Sequence, residues 1–167
     1  AKNCLQYGKN LLTASYINDH IAALQHQVKS KRLLFLCEMG LDPGIDHMSA
    51  MQVIHRIKAG GGSITSFASH CGGLVAPEHD DNPWHYKISW NPRNVVLAGK
   101  NGAVFKENGH LRQMPYEDLF DANRAIHIPE LGFLAWYRNR DSLGYIPIYQ
   151  LSEADTFIRT TLRYPEF

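Results

Sequence analysis

The chain has 167 residues, of which 44% are apolar and 20% charged, and its formal net charge is +1. This length and composition are typical of a globular protein with one domain, or with one and a half. A nearly balanced charge gives no reason to expect a nucleic acid or a membrane surface as the main partner. No apolar run reaches the roughly 20 residues that span a bilayer, and the first residues lack the order of a secretory signal.

The cysteines and the two ends give further expectations. Cys4, Cys37 and Cys71 are too few and too scattered for a disulfide framework, so we expect reduced thiols and a cytoplasmic location. The chain opens at Ala1 without an initiator Met and closes at Phe167 directly after an apolar stretch. Because neither end has the polar residues typical of a natural terminus, we expect an excised segment of a longer protein.

The first part of the chain predicts two strands joined by a helix. Asn10 to Ser15 and Leu33 to Cys37 are short apolar runs of the kind that buried strands show. Between them, Asn18 is a candidate helix N-cap, followed by apolar residues at helical spacing up to Val28. After a turn, a second amphipathic helix is expected from Ile45 onward, and the three glycines at 60–62 should end it.

Strand patterns dominate the remainder. Alternation predicts a strand from Ile64 to Ser69 with one wetter face, and a polar loop follows from Gly72 to Pro83. Asn91 and Pro92 are typical of a helix start. The other predicted strands are a hairpin at Val104–Gln113 turned by Asn108-Gly109, then Phe133–Tyr137 and Thr156–Tyr164.

These patterns predict a chain of mixed α/β and α+β class with two parts. Residues 1–45 are expected to form a parallel β-α-β remnant, and residues 46–167 are expected to form a mixed α+β domain.

The densest candidate for chemistry is the run Gly40-Leu41-Asp42-Pro43-Gly44-Ile45-Asp46-His47. Its glycines and proline predict a tight turn between a strand and a helix, which is where open α/β sheets bind ligands. Asp42 and Asp46 lie near a helix N-terminus, where negative charge is stabilised. The alternative is that Asp46 only caps the helix, although capping needs one such residue and does not explain the whole run.

Histidine and cysteine side chains raise the question of a metal or a thiol nucleophile. His70 and Cys71 are adjacent on a predicted strand, so their side chains point to opposite faces and cannot easily hold one ion. His79, Asp81 and His85 lie on a loop without the spacing of a zinc site. We therefore expect solvated side chains there and no metal.

Two other stretches combine aromatic or apolar residues with arginines. The first, from Asn82 to Arg93, combines aromatic and basic residues that could line a pocket, although large aromatics are first of all core material. The second pairs residues 137–142 with residues 158–164, and arginine suits the bidentate binding of carboxylates or phosphates. A binding role and an internal salt bridge, such as Arg140 with Asp141, both stay open, because arginine in an apolar strand is costly unless paired.

Eight short motifs follow one another along the chain: Thr13-Ala14-Ser15-Tyr16, Glu38 through Met48, Ser69-His70-Cys71-Gly72-Gly73-Leu74, Asp81-Asn82-Pro83, Tyr86-Lys87, Ser89-Trp90, Asn139-Arg140-Asp141-Ser142 and Thr161-Leu162-Arg163-Tyr164. In this order they resemble the motifs of the glutamate-forming saccharopine dehydrogenases, also called saccharopine reductases. A single tripeptide is weak evidence, whereas the ordered set covers the chain from about residue 10 to residue 164.

The resemblance implies an enzyme with an N-terminal Rossmann dinucleotide-binding domain, whose C-terminal remnant would be residues 1–45 of this chain. Residues 46–167 would then be its substrate-binding domain, truncated at the C-terminal end. Its cofactor would be NAD or NADP, with Leu41, Asp42 and Pro43 near the nicotinamide. Since no Gly-x-Gly-x-x-Gly follows a strand here, we expect the isolated chain to be inactive. The expected partner is a small-molecule substrate, with neither nucleic acid nor membrane, in a homodimer.

The implied substrate is saccharopine, a lysine and a glutamate joined through one secondary amine, with three carboxylates. The substrate contacts of the family fall on Ser15, Tyr16, Arg140, Thr161, Leu162 and Arg163. Tyr16, Asp42 and Cys71 are the implied catalytic residues, the first two for proton transfer or amine positioning. Cys71 would serve as a pocket wall more than as a nucleophile, because the reaction has no acyl intermediate.

The sequence departs from the family pattern at four places. His70 stands in place of a tyrosine, Val75 in place of a proline, Asn91-Pro92 in place of two serines, and Thr160 in place of a glycine. Two other interpretations stay open: a relative that acts on carboxynorspermidine or carboxyspermidine by the same imine chemistry, and a non-catalytic domain for ligand binding or oligomerisation.

Overall fold

The computed structural model describes residues 1–121 and 123–167. The chain divides into two compact units, Ala1–Val53 and Ile54–Phe167. The predicted mixed α/β class is confirmed, and most of the strand pairing is antiparallel. The assignment of the first stretch to a Rossmann domain, and the domain boundary after residue 45, stay predictions.

The first unit contains a small parallel sheet with short helices. Its elements are α1 (Lys2–Gln6), β1 (Leu11–Leu12), α2 (Asp19–Ala22), α3 (Gln25–Ser30), β2 (Phe35–Leu36) and the first part of α4 (Ile45–Ala59). Leu11 lies opposite Phe35 in the parallel pair, as the β-α-β pattern predicts. Asn18 caps α2 as expected, because its side-chain oxygen accepts the N–H of Ile21 at 3.1 Å.

The prediction that these two strands are buried is wrong for this chain. Leu12 is 69% exposed and Leu36 is 42% exposed, and each strand has two residues in place of the predicted six and five. A sheet of two short strands cannot bury both of its faces, and the helices here bury Leu5 and Val28 instead. An apolar run predicts a strand, but burial also depends on what packs against it.

Helix α4 begins and ends where the sequence predicts it. Ile45 is its first residue, and it ends at Ala59, directly before the glycine run. Its apolar positions differ in burial, since Ile54 is 2% exposed whereas Ile45 and Met48 are each 57% exposed. The spacing therefore predicts the helix correctly without predicting how much of its apolar face is covered.

The second unit is a six-stranded sheet with β8 at its centre. Its elements are β3 (Ser66–Cys71), α5 (Pro92–Val96), β4 (Ala103–Glu107), β5 (His110–Met114), β6 (Ala125–Ile128), β7 (Gly132–Arg138), α6 (Ile146–Tyr149) and β8 (Thr156–Arg163). Five strands follow the order β5-β4-β8-β7-β6 with antiparallel pairing, and β3 pairs with β8 in parallel. The central strand thus has partners along both of its edges.

Local sequence signals predict several of these elements correctly. The hairpin of β4 and β5 turns at Asn108 and Gly109, both with positive φ, as a type I′ turn requires. Asn91 caps α5 with its side chain, and Pro92 is the first helical residue. Strand β3 begins at Ser66, two residues later than predicted, because its pairing follows β8, which begins at Thr156.

The core of this unit lies on both faces of β8. On one face, Ile158 packs with Ala103, Phe105 and Leu119. On the other face, the ring of Phe157 joins an aromatic cluster whose other members are Phe67 and Tyr149. These two clusters anchor the first half of β8, and its second half carries the Thr161-Leu162-Arg163 motif.

Candidate functional site

The Gly40–Gly44 turn is closed by its own backbone. The N–H of Gly40 donates to the carbonyl of Pro43 at 2.9 Å. Gly44 has a φ of +149°, and a Cβ there would lie 2.1 Å from the carbonyl oxygen of Gly40, so only glycine fits. The Asp42-Pro43 bond within the turn is cis. This tight loop holds Asp42 at the carboxyl end of β2.

Asp46 has a structural role at the start of α4. It is buried, and its Oδ1 accepts the N–H of Gly44 at 2.8 Å. The carboxylate therefore satisfies one of the N–H groups that precede the helix. The interpretation of Asp46 as a residue that stabilises the helix start is supported, and it accounts for one residue of the run.

Tyr16 and Asp42, the two candidates for proton transfer, are joined in the first unit. The Tyr16 hydroxyl donates to Asp42 Oδ1 at 2.6 Å, and both side chains are half-buried. This hydrogen bond fixes the orientation of the carboxylate and of the phenol relative to each other. Next to them, Ser15 is exposed, Leu41 is 51% exposed and Pro43 is buried.

In the second unit, three strands place Cys71, Thr161 and Tyr137 in one row. Cys71 on β3 lies opposite Thr161 on β8, and Thr161 lies opposite Tyr137 on β7. Residues opposite each other in a sheet share one face, and so do residues two apart on one strand. Arg163, two residues after Thr161 on β8, therefore lies on the same face as this row. Leu162 belongs to the other face, so the sheet separates its side chain from those of the other predicted contacts on β8.

Arg163 is a buried cation in aromatic surroundings. Its guanidinium lies 4.8 Å from the ring centre of Tyr86 and 5.0 Å from that of Phe167. Nη1 donates to the carbonyl of Leu162 at 2.7 Å, but Nε is buried without a hydrogen-bond partner among the described residues. Arg163 lines a cleft together with Phe120, Asp121, Ala135, Trp136, Tyr137, Tyr164, Pro165 and Phe167.

Backbone hydrogen bonds of the Asn-Arg-Asp-Ser motif hold Arg140 at a fixed place. The N–H of Asn139 donates to the backbone carbonyl of Arg159 on β8, and the Arg140 carbonyl accepts the N–H of Val104 on β4. Arg140 has a φ of +42°, which costs a non-glycine residue about 1 kcal/mol and persists where neighbours fix the backbone. Its side chain lines a second cleft, beside Asn94, Leu97 and Lys100.

Asp141 and Ser142 complete this motif by bonding to backbone. Asp141 Oδ1 accepts the N–H groups of Leu143 at 2.8 Å and Gly144 at 3.2 Å, which begins a short 3₁₀ turn. Ser142, 1% exposed, accepts the N–H of Arg159 through its hydroxyl. The acidic side chain next to Arg140 therefore serves the turn, as such residues often do.

His70 and Cys71 point to opposite faces of the sheet, as expected for neighbours on a strand. His70 Nδ1 lies 2.6 Å from the Thr160 hydroxyl, and its ring contacts Trp136 edge-on. Burial lowers the pKa of His70 below its ordinary value of 6.5, because a half-buried ring is more stable uncharged. Cys71 instead shares the face of Thr161 and Arg163.

The loop residues considered as metal ligands make local pairs. His85 Nδ1 lies 2.5 Å from Asp80, and this hydrogen bond raises the pKa of His85. Lys87 donates to Asp81 at 2.9 Å and lowers the pKa of that exposed carboxyl. Within residues 1–121 and 123–167, no three His, Cys, Asp or Glu side chains are grouped in a way that could hold a metal ion.

Comparison with known proteins identifies the family. The model of the saccharopine dehydrogenase C-terminal domain matches residues 40–167. The chain belongs to the saccharopine dehydrogenase family. The saccharopine dehydrogenase (NADP(+), L-glutamate-forming) of Schizosaccharomyces pombe is 44% identical over 170 residues, which cover 99% of this chain and 38% of that protein. The alpha-aminoadipic semialdehyde synthase of Arabidopsis thaliana is also 44% identical over 170 residues, covering 100% of this chain and 16% of that protein.

A solved structure of the same family has the same fold. The apo saccharopine dehydrogenase (L-Glu forming) from Saccharomyces cerevisiae superposes with a TM-score of 0.82 at 38% identity, over 98% of this chain and 37% of that one. The resemblance predicted from the motifs is therefore confirmed. The chain spans 38% or less of the length of these relatives.

Two departures from the family pattern meet in the structure. His70 and Thr160 lie opposite each other on β3 and β8, and their side chains share the 2.6 Å contact. Thr160 is 2% exposed, so its added side chain is accommodated inside the sheet and not at the surface. Strand β8 continues without a break from Thr160 to Arg163.

The predicted site residues omit two aromatic neighbours of Arg163. Tyr86 belongs to the stretch that we interpret from sequence as core material, although its Tyr86-Lys87 motif is among those resembling the family. Tyr137 belongs to none of the motifs that resemble the family, and its place opposite Thr161 depends on the register of β7 and β8. Strand register is a tertiary property that composition does not reveal.

Proposed function

We propose that this chain is the substrate-binding part of an NAD(P)-dependent, L-glutamate-forming saccharopine dehydrogenase, together with a piece of the cofactor domain. The observation that carries the proposal is Arg163, a residue that is only 7% exposed and whose Nε has no hydrogen-bond partner among the described residues. A buried, incompletely bonded cation favours an anionic ligand, and a carboxylate accepts such hydrogen bonds well. Saccharopine carries three carboxylates.

The other predicted substrate contacts have matching chemistry. Arg140 can bind a second carboxylate from the cleft that it lines. Ser15 and Thr161 offer hydroxyl groups, and Leu162 can contribute through its backbone. Three relatives are named as L-glutamate-forming saccharopine dehydrogenases, which supports saccharopine over another carboxylated amine.

A nicotinamide cofactor fits the end of the parallel pair in the first unit. Open α/β sheets bind ligands at the carboxyl ends of their strands, and β2 leads there into the Gly40–Gly44 turn. Leu41, Asp42 and Pro43 would hold the nicotinamide side, where Leu41 offers an exposed apolar surface. When bound, the cofactor accepts a hydride from the substrate.

The reaction oxidises a carbon–nitrogen bond and then adds water across it. The lysine-side carbon next to the secondary amine loses a hydride and the amine loses a proton, which leaves an imine. Water hydrolyses the imine to L-glutamate and 2-aminoadipate 6-semialdehyde. The hydrogen-bonded pair of Tyr16 and Asp42 would take up the amine proton, and Cys71 would line the pocket.

The test is turnover by the full-length protein that carries this chain. We expect NAD(P)⁺ reduction with saccharopine at a kcat/KM at least tenfold above that with carboxynorspermidine, with L-glutamate as a product. Preference for carboxynorspermidine would overturn the proposal in favour of the polyamine relative. The isolated 167-residue chain should reduce no cofactor, and measurable reduction would contradict its assignment as a partial enzyme.

Other features of the whole protein stay predictions. A cytoplasmic location is expected from the few, scattered cysteines, and a homodimer stays one possible assembly. No helix in the described part of the chain is long and apolar enough to cross a membrane. The choice between NAD and NADP is normally made by a residue after the second strand of a Rossmann domain.

A further inference from the structure

Tyr137 lies at the centre of the residues that the proposed function assigns to carboxylate binding. It is 8% exposed, lies opposite Thr161 in the sheet and lines the same cleft as Arg163. The hydroxyl of Thr161 and the charges of Arg163 and Arg140 all act on the pKa of its side chain. Tyr137 therefore lies beside two of the six predicted substrate contacts, Thr161 and Arg163.

The phenol has hydrogen-bonding capacity beyond its contact with Thr161. A phenol oxygen can accept one hydrogen bond while its O–H donates another. Burial raises the pKa of Tyr137, while the nearby Arg163 charge, the Thr161 hydrogen bond and the Arg140 charge act in the opposite sense. Burial prevails, so the group keeps its proton at neutral pH and remains a donor.

Arginine charge dominates the surroundings of this donor, because Asp121, the acidic residue that lines the same cleft, is paired with Arg124 at 3.7 Å. The arginines only donate hydrogen bonds, and Tyr137 packs against the ring of Phe120 at 4.8 Å, on an apolar side. A carboxylate that approaches Arg163 along the cleft therefore meets the Tyr137 hydroxyl as a second donor. Two donors of fixed direction select a planar carboxylate more sharply than one cation does.

We propose that the Tyr137 hydroxyl is a further substrate-binding group, which donates a hydrogen bond to the same substrate carboxylate that Arg163 binds. This inference rests on the proposed function, because the carboxylate belongs to saccharopine. It adds a residue that holds the substrate and takes no part in hydride transfer. The signature of such a residue is a change in KM for one substrate, with the cofactor KM unchanged.

The experiment compares Tyr137→Phe with the unsubstituted full-length protein. Loss of one hydrogen bond to a charged group predicts a rise of about tenfold in the KM for saccharopine, with the KM for NAD(P)⁺ within twofold. The matched control is Tyr149→Phe, another buried tyrosine whose ring packs against Phe67, and it should leave both constants within twofold.

Saccharopine analogues that each lack one carboxylate show whether Tyr137 binds the substrate or only supports the fold. The effect of Tyr137→Phe should disappear for the analogue without the bound carboxylate and persist for the others. An unchanged KM for saccharopine, or an equal penalty for all compounds, would overturn this inference alone. Absence of saccharopine turnover in the unsubstituted protein would overturn the proposed function, and this inference with it.

Discussion

At the scale of single residues, the contact between His70 and Thr160 makes the stability of the sheet depend on pH. The ring nitrogen and the hydroxyl lie 2.6 Å apart inside the sheet, next to Cys71 and Thr161. Thr160 also lies 3.3 Å from the carbonyl of Ser69, to which its single proton can be donated. Because that proton is already used, the Thr160 hydroxyl accepts a hydrogen bond from His70. The neutral His70 ring must then carry its proton on Nδ1.

The lowered pKa of His70 predicts a loss of stability in acid. A histidine whose pKa is lower in the folded state binds more protons when unfolded, so stability falls as the pH drops below its ordinary value of 6.5. His70→Asn keeps a donor near the position of Nδ1 but does not titrate. Its free energy of unfolding should therefore fall less between pH 7 and pH 5 than that of the unsubstituted protein.

Two other histidines serve as references for this measurement. His85 acts in the opposite direction, because its pKa is raised, and stability from its contact with Asp80 is lost as the pH rises through that value. His110, exposed on β5, is the matched control for substitution. Equal pH dependence of unfolding in His70→Asn, His110→Asn and the unsubstituted protein would contradict the assignment to His70.

At the scale of elements, Gly72, directly after β3, lies against the backbone of β8. A Cβ on Gly72 would lie 2.3 Å from the Leu162 carbonyl oxygen, whereas a Cβ on Gly73 would meet no atom within 4 Å. Gly72→Ala should therefore displace the Leu162 backbone and lower the free energy of unfolding by about 1–3 kcal/mol. Gly73→Ala, one residue away, should change it by less than about 0.5 kcal/mol.

Denaturant unfolding of the two variants measures this difference directly. Because Leu162 is a predicted substrate contact through its backbone, Gly72→Ala should also raise the KM for saccharopine. Equal stabilities of the two glycine variants would show that β3 and β8 are not packed as described.

Elements with local chemical signals are predictable from this sequence, and those set by pairing are not. The Asn108-Gly109 hairpin, the Asn91 cap and the end of α4 each follow from the residues present. Strand β6 and the row of Cys71, Thr161 and Tyr137 depend on register between distant strands. The site motifs are visible in the sequence, but their grouping on one sheet face comes from the fold.

At the scale of the whole molecule, the candidate residues divide between the two units. The hydrogen-bonded pair of Tyr16 and Asp42 belongs to the first unit, and the arginines with Tyr137 belong to the second. Substitutions can therefore separate the two roles. Substitutions of Tyr16 or Asp42 should act mainly on kcat, and substitutions of Arg140, Arg163 or Tyr137 mainly on the KM for saccharopine.

The binding of a substrate carboxylate by Arg163 is the central claim, and Arg163→Gln in the full-length protein tests it most directly. Loss of hydrogen bonds to a charged group, worth about 1.5–3 kcal/mol, predicts a rise of about 10- to 150-fold in the KM for saccharopine. Arg163→Lys keeps the charge without the planar fork and should give a smaller rise. Arg112→Gln, at an exposed position on β5, is the control and should leave this KM within twofold.

Steady-state kinetics with saccharopine and with NAD(P)⁺ varied in turn is the decisive measurement. The account predicts that Arg163→Gln raises the KM for saccharopine while the KM for NAD(P)⁺ and the melting temperature stay close to those of Arg112→Gln. A folded Arg163→Gln protein whose KM for saccharopine remains within twofold of the unsubstituted value would contradict it.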